Sequence, residues 1–333
     1  MEIHSPIYGS VSLTEQVLVD LIASPPLQRL QGISQYSLPP EFYHRPGFTR
    51  YTHSLGVLLL LQKLQAPLEE QVAGLLHDVS HTAFSHLMDR IMNTMDDDSF
   101  QNSIHEQFIR NSIIPTILQD YGFSVDRIIN LEHFPLLERD IPQLCADRVD
   151  YGLQEFQAWA NPAIVKQCVA DVCNYNHEIV FKTYDSARKF AVNFAKCDRE
   201  NWAGKETTIR STLFANGLQY AMGKGIITQE DFLTGNDSSI MEKLRASKDA
   251  KLEQLFSLLT EEFQWRVDVE KPQFSERKKL RYVDPKFMEE GTLQQLSTVD
   301  PVYCTFVEEL KRENKEGVKL RLLWPDGQDY SHC

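Results

Sequence analysis

The stretch Arg50-Tyr-Thr-His53-Ser-Leu-Gly56, followed by Leu75-Leu-His77-Asp78-Val-Ser-His81-Thr-Ala-Phe-Ser-His86-Leu-Met-Asp89, decides how the rest of the chain is read. With His105 just beyond it, this span holds five of the ten histidines in 333 residues. Neighbouring side chains on a helix diverge by about 100°, so His77 and Asp78 can address one point only from a helix end. The apolar positions Leu68, Val72, Leu75 and Leu76 lead into that pair and predict a buried helix that stops there. His53 opens a second apolar helix, Leu55 to Leu64, and can bring another imidazole to the same point. Asp147 sits inside an otherwise apolar helical segment, Leu144-Cys-Ala-Asp147-Arg-Val-Asp150-Tyr151. A buried carboxylate without a partner is costly, and metal coordination is one of few ways to keep it ionised. His53, His77, Asp78 and Asp147 are therefore the candidate ligands of a metal ion. Their mixed imidazole and carboxylate chemistry suits iron, manganese, zinc or cobalt over calcium, with magnesium and nickel as further candidates.

The order His53, His77-Asp78, Asp147 resembles the H…HD…D signature of the HD-domain metal-dependent phosphohydrolases. The flanking words Pro26-Leu-Gln28-Arg29-Leu30, Arg50-x-x-His53-Ser-Leu-Gly56, Ala73-Gly-Leu-x-His77-Asp78-x-x-His81, Phe84-Ser-His86-x-x-Asp89 and Asp147-x-x-Asp150-Tyr151 resemble the branch containing the deoxynucleoside triphosphate triphosphohydrolases. The likeness is specific over the first half of the chain and weaker in the second. It implies a mainly α fold, an HD-domain helical bundle, in which a metal-activated water cleaves a phosphate ester of a nucleotide. It also implies that His81, Asp89 and His105 form the catalytic acid network, while Arg50 and His86 touch the phosphate at the scissile bond. Gln35 resembles a sugar-contacting glutamine, Arg148 stands where the family has a phosphate-binding lysine, and Tyr151 where it has a nucleotide-contacting tyrosine.

Two departures bear on substrate. Four residues after Tyr151 this chain has Glu155, where the triphosphohydrolases carry an Asp that reads the sugar 3′-hydroxyl. The later run that grips the phosphate tail has no clear counterpart in Asn201-Trp-Ala-Gly-Lys205-Glu-Thr-Thr-Ile-Arg210, where only Lys205 and Arg210 offer substitutes. A nucleoside monophosphate or another phosphate monoester or diester is thus an alternative substrate. A second reaction class shares the ligands: His105 and His133 fall between Asp78 and Asp147, as in the HD-domain proteins that hold two metals, which include phosphodiesterases and di-iron oxygenases. The competing reading of His133, in Leu131-Glu-His-Phe-Pro135, is an exposed or capping histidine. A non-catalytic nucleotide sensor is the third reading, opposed by the intact ligand set.

Composition sets the outer bounds. A chain of this length with 42% hydrophobic residues supports one large or two closely packed domains. The expected division is an HD core over 1–200 and a helical extension over 201–333 with a small C-terminal α+β region. A formal charge of −13 argues against a general nucleic-acid or anionic-membrane binder. The partner that the resemblance implies is a phosphorylated small molecule, with a nucleotide expected, and a homo-oligomer stays open. No apolar run approaches the ~18 residues of a spanning helix. Met1-Glu-Ile-His-Ser-Pro6 has neither the basic start nor the apolar core of a signal peptide, so a cytoplasmic or nuclear location is expected. Six cysteines without a CxxC pair read as reduced.

Along the chain, Ser12-Leu-Thr-Glu15 has the form of a capping box opening a helix to Ala23. Helices are expected from Leu27, over Ile141 to Phe156, Pro162 to Cys173, Ser186 to Asn201, Thr208 to Lys224 and Met241 to Leu259. Ser37 to Phe48, rich in Pro and Gly, reads as a loop on the pocket rim. Asp96 to Asp98 reads as a solvated acidic loop. Segments beginning at Phe263, Lys279 and Val318 alternate apolar and polar residues as half-buried strands do.

Overall fold

The computed structural model describes residues 1–43, 47–92, 99–261, 264–277 and 279–323. The acidic triplet Asp96–Asp98, Phe263 and Trp324 lie outside the described residues. The fold is mainly helical with small sheets, as the sequence implies. Its centre is the helix Arg50–Lys63, in which Val57 through Leu61 are all buried. A helix apolar around its whole circumference has to be enclosed on every side, and this one packs on Leu68–Leu76 and on Ala146–Trp159. Thr49 caps it by accepting the Thr52 amide, so Arg50 and His53 fall in its first turn.

Two apolar clusters share the chain. One gathers the N-terminal helices, the Arg50–Lys63 bundle and Tyr184–Cys197, together with Val283, Phe287 and Tyr303 from the C-terminal part. The other joins Lys205–Gly223, Asp237–Ala246 and Ala250–Thr260 with Phe42, Phe84 and Leu87 from the N-terminal half. Three small sheets complete the fold. Strands β1 (Glu2–Ser5) and β2 (Gly9–Ser12) pair antiparallel, Ile3 opposite Val11. Strands β3 (Val172–Tyr175) and β4 (Glu178–Phe181) form a hairpin. It is extended by β7 (Lys286–Glu289), parallel to β4 with Phe181 opposite Phe287, and by β8 (Thr292–Gln295). The third sheet has the order β5 (Gln264–Val267), β9 (Val318–Leu323), β6 (Phe274–Glu276), all antiparallel.

Several local expectations are corrected. Ser12 belongs to β2, and the first helix, Gln16–Ala23, starts after Glu15 without a side-chain cap. The Ala146–Trp159 helix begins five residues later than Ile141, behind Cys145 in extended conformation. The helix from Pro162 stops at Asp171, and Cys173 enters the β3–β4 hairpin, whose turn places Asn176 and His177 at positive φ. Met241 to Leu259 is two helices, because Lys248 takes φ 51° and Asp249 caps the second by accepting the Lys251 and Leu252 amides. Lys279 to Val283 forms no strand. Val283 is buried there without a ladder partner among the described residues. The sequence reading missed the helix Pro301–Glu316, which Asp300 caps and Gly317 ends at φ 69°.

Asp237 links the second cluster to the first. Its Oδ1 accepts the Phe84 amide at 2.7 Å and its Oδ2 the Ser34 amide at 2.8 Å. Phe84 and Ser85 are two consecutive non-glycine residues at positive φ, a conformation that persists only when its surroundings hold it. Replacing Asp237 by Ala leaves two amides without their acceptor and is expected to cost about 2–4 kcal/mol, read as a lower urea midpoint at unchanged slope. A midpoint within experimental error of wild type would show that Asp237 is not what holds this turn.

Candidate metal centre

His53 enters the site from the first turn of its helix, and His77 and Asp78 from the end of Leu68–Leu76. Asp147 comes from the first turn of Ala146–Trp159. His53 Nε2 lies 2.9 Å from Asp147 Oδ1 and 3.2 Å from His77 Nε2, and His77 Nε2 lies 3.6 Å from Asp147 Oδ1. These three donors form one tight group suited to an ion. Asp78 borders it, with Oδ1 3.5 Å from His77 Nε2 and Oδ2 3.8 Å from His53 Nε2.

The protons on the rings fix what this group can hold. His77 Nδ1 donates to the Gly74 carbonyl at 2.7 Å, and His53 Nδ1 donates to Asp150 Oδ2 at 2.8 Å. Both Nε2 lone pairs therefore point at each other, an arrangement that needs a proton or a cation between them. Burial alone would pull His53 down, but the hydrogen bonds and charges of Asp147 and Asp150 outweigh it and lift it to about 10. Burial opposes ionisation of Asp78 as well, and Arg50 with His77 and His81 overrides it, holding the carboxylate well below its usual range. Two imidazoles and two carboxylates, with both rings and Asp78 oriented by a further hydrogen bond or ion pair, fit a divalent transition metal.

Asp150 is the residue whose role the sequence did not disclose. It is fully buried, accepts from His53, and takes the Tyr8 hydroxyl on its other oxygen at 2.8 Å. The spacing of one helical turn from Asp147 was the available signal. Gly56 makes room for it, since a Cβ there would stand 2.1 Å from Asp150 Oδ1.

The residues expected around the ligands fall into three places. Arg50 donates from Nη1 to Asp78 Oδ2 at 2.7 Å and from Nε to Ser85 Oγ at 3.1 Å, while its buried Nη2 has no partner among the described residues. His81 Nε2 lies 3.2 Å from Asp78 Oδ1, and burial lowers it to about 3, so it is neutral near pH 7. His105, lowered by burial to about 4, meets Ser80 Oγ at 2.9 Å. Asp89 accepts the Phe100 amide, and the His86 imidazole is 3.5 Å from it. Gln35, Arg50, His86, Asp89 and Tyr151 line a cavity of about 220 Å³. Tyr36, Tyr43, Phe48 and Trp202 give it aromatic walls.

Arg148 does not line this cavity. Its guanidinium is taken up by the Gln143 carbonyl, Cys145 Sγ and Glu138, which corrects the expectation that it faces a phosphate. His133 ends a short turn, is exposed, and stands outside the donor group. Arg210 is fully buried and bonded to Glu206 and to the Leu259 and Glu261 carbonyls, so it braces the fold. Glu155 is buried at the cavity wall and accepts the Trp202 indole N–H at 2.8 Å. Sequence reasoning also missed Arg277, Lys279 and Arg281, which reach the cavity from the segment between β6 and β7.

Comparison with known proteins follows the same residues. The family model described as the HD domain matches residues 50–152. The chain is 32% identical to the uncharacterised protein YdhJ of Bacillus subtilis over 97% of its own length and 99% of that protein. It is 39% identical to the metal-dependent phosphohydrolase cns2 of Cordyceps militaris over 46% of this chain and 44% of that protein. The chain belongs to the HD-domain metal-dependent phosphohydrolases. This HD-domain phosphohydrolase also shares 38% identity with a human deoxynucleoside triphosphate triphosphohydrolase, over 26% of its own length and 16% of the relative. A solved phosphohydrolase from Bacteroides thetaiotaomicron shares its fold at a TM-score of 0.61, with 16% identity over 95% of this chain and 85% of the other. Among the described residues no helix is long and apolar enough to cross a membrane.

Two outcomes test the centre. Asp150→Ala removes the acceptor that aims His53, and metal affinity is expected to fall about 10- to 100-fold in a competition titration. An affinity equal to wild type would separate Asp150 from the ligand set. Metal must also displace the proton held between the two rings, because the raised His53 keeps it at neutral pH. Binding is therefore expected to release protons and to strengthen by up to about tenfold per pH unit between 6 and 8. Calorimetry in buffers of different ionisation enthalpy reads this directly, and heat independent of buffer would refute it.

Proposed function

We propose that this HD-domain phosphohydrolase cleaves a phosphate ester of a nucleotide, in the manner of the deoxynucleoside triphosphate triphosphohydrolases. The observation that carries the reading is the Arg50 guanidinium. It is buried beside Asp78, with Nη2 unpartnered among the described residues, and it lines a cavity with aromatic walls. A planar cation with a spare donor suits a phosphate oxygen. Aromatic walls suit a base, because every base offers a π-face for an aromatic ring to stack on. The partial likeness to the human triphosphohydrolase points the same way.

His53, His77, Asp78 and Asp147 would hold the metal, which supplies activation of water and neutralisation of phosphoryl charge. The other residues have separate tasks. Arg50 orients the phosphate against Asp78, and its tie to Ser85 fixes the approach angle. His81 donates from Nε2 to Asp78 Oδ1 and so orients that ligand, and the resemblance makes it a member of the catalytic acid network. Asp89 and His105, with His81, form the acid network from which the departing alkoxide takes its proton, His105 being held by Ser80, while His86 meets the phosphate beside Arg50. Gln35 meets the sugar through an amide oxygen that is buried and unpartnered, and Tyr151 packs on the nucleoside.

His77→Ala is expected to lose metal and turnover together. His105→Ala is expected to keep the metal and lose about 10²- to 10⁴-fold in kcat. Metal analysis beside a product-resolved screen of nucleotides and generic phosphate esters measures both. Full turnover by His77→Ala would end the assignment.

A further inference from the structure

Tyr8 stands in the turn between β1 and β2, outside the HD-domain match at residues 50–152. Its place in that turn is fixed from several sides. Ser5 Oγ accepts the Ile7 and Tyr8 amides at 3.2 and 3.1 Å, Gly9 supplies φ 79° at the start of β2, and Ile3 and Ile7 are buried in the first apolar cluster. So held, the phenol reaches across 142 positions of sequence and donates to Asp150 Oδ1 at 2.8 Å. The other oxygen of that carboxylate accepts His53 Nδ1–H at 2.8 Å, and His53 Nε2 belongs to the ligand group. Oδ1 is also the atom for which Gly56, on the His53 helix, leaves room.

Three side chains thus run in series from the hairpin to the ligands, and the middle one is the soft link. The terminal torsion of an aspartate is broad, so one hydrogen bond to His53 does not fix the plane of the carboxylate. A second bond on the opposite oxygen does, and that plane sets the direction in which the ring presents Nε2. A buried oxygen left without its donor is also costly, which favours turning Asp150 towards other donors, and Gln154 on the same helix is one. We infer that Tyr8 is a positioning residue of the metal centre: through Asp150 it aims His53, so the N-terminal hairpin sets the affinity and ligand geometry of the bound ion. This rests on reading His53, His77, Asp78 and Asp147 as the metal ligands, and is independent of the substrate.

The test compares the full chain with Tyr8→Phe, which removes the hydroxyl and keeps the ring that packs on the apolar cluster. Tyr8→Phe is expected to weaken metal binding about three- to tenfold in a competition titration, the range of one hydrogen bond. In an Asp150→Ala background the same change is expected to add less than about twofold, because the two residues act in series. The cobalt-loaded form of Tyr8→Phe is expected to show shifted visible absorption bands. The urea midpoint of the metal-free protein reads the structural share of the hydrogen bond separately. A lowered midpoint with affinity and spectrum as in wild type would make Tyr8 purely structural and overturn the inference. Equal losses of affinity in both backgrounds would overturn it too. Where Asp150→Ala does not fold, the affinity and spectrum of Tyr8→Phe decide alone. A wild type that binds no divalent transition metal would defeat the centre itself, and the role of Tyr8 with it.

Discussion

Two imidazole nitrogens facing each other at 3.2 Å are the constraint on which the rest of the structure depends. Each ring has committed its other nitrogen, His77 to a carbonyl and His53 to a buried carboxylate, so neither can turn away without losing a hydrogen bond. Lone pairs held in opposition are stable only around positive charge. The surrounding fold makes this possible by fixing three helices to within side-chain contact. The helix Arg50–Lys63 is buried nearly all round and cannot rotate, its Gly56 leaves the volume Asp150 occupies, and Asp147 and Asp150 sit one turn apart on the helix packed against it. Metal-site geometry and core packing are here one arrangement seen from two sides.

Charge around that centre is divided among groups with different duties. Arg50 keeps Asp78 ionised with one guanidinium nitrogen and fixes itself on Ser85 with another, leaving the third for a ligand. Ser85 can do this only in the left-handed turn that Asp237, at the start of a helix of the second cluster, restrains through the Phe84 amide. Arg29 adds a second restraint, donating to the Val79 and His81 carbonyls and to that of Gly235. The second apolar cluster thus acts on the centre without contributing a ligand, by holding the loop that carries His81 through His86. Such buried hydrogen bonds matter more for what they prevent than for what they add, because an unmet buried donor is costlier than a met one is favourable.

The ligand centre was legible in the sequence because its signals are local. His77-Asp78 at the end of an apolar run, and an acid within an apolar helix, each announce themselves within one or two turns. The cavity wall was not legible for the opposite reason. Lys279 and Arg281 line the cavity while Val283 is buried in one core, and nothing in the local pattern states which partner lies opposite. Arg148 was misread because its sequence position is right and its neighbours are not. Glu138, ten residues upstream, claims the guanidinium, and only tertiary packing brings it there. Asp237 was not singled out at all, since an acid at the start of a helix ordinarily serves that helix.

The C-terminal chain ties the two cores together. At one end β6 is paired with β9, and Phe274 is buried in the second cluster. At the other, Val283 is buried in the first cluster and its carbonyl accepts the Tyr303 hydroxyl. Arg277, Lys279 and Arg281 line the cavity and fall in sequence between these two anchors, so a stretch of chain held by different cores at its two ends bounds the same cavity as Arg50 and Tyr151.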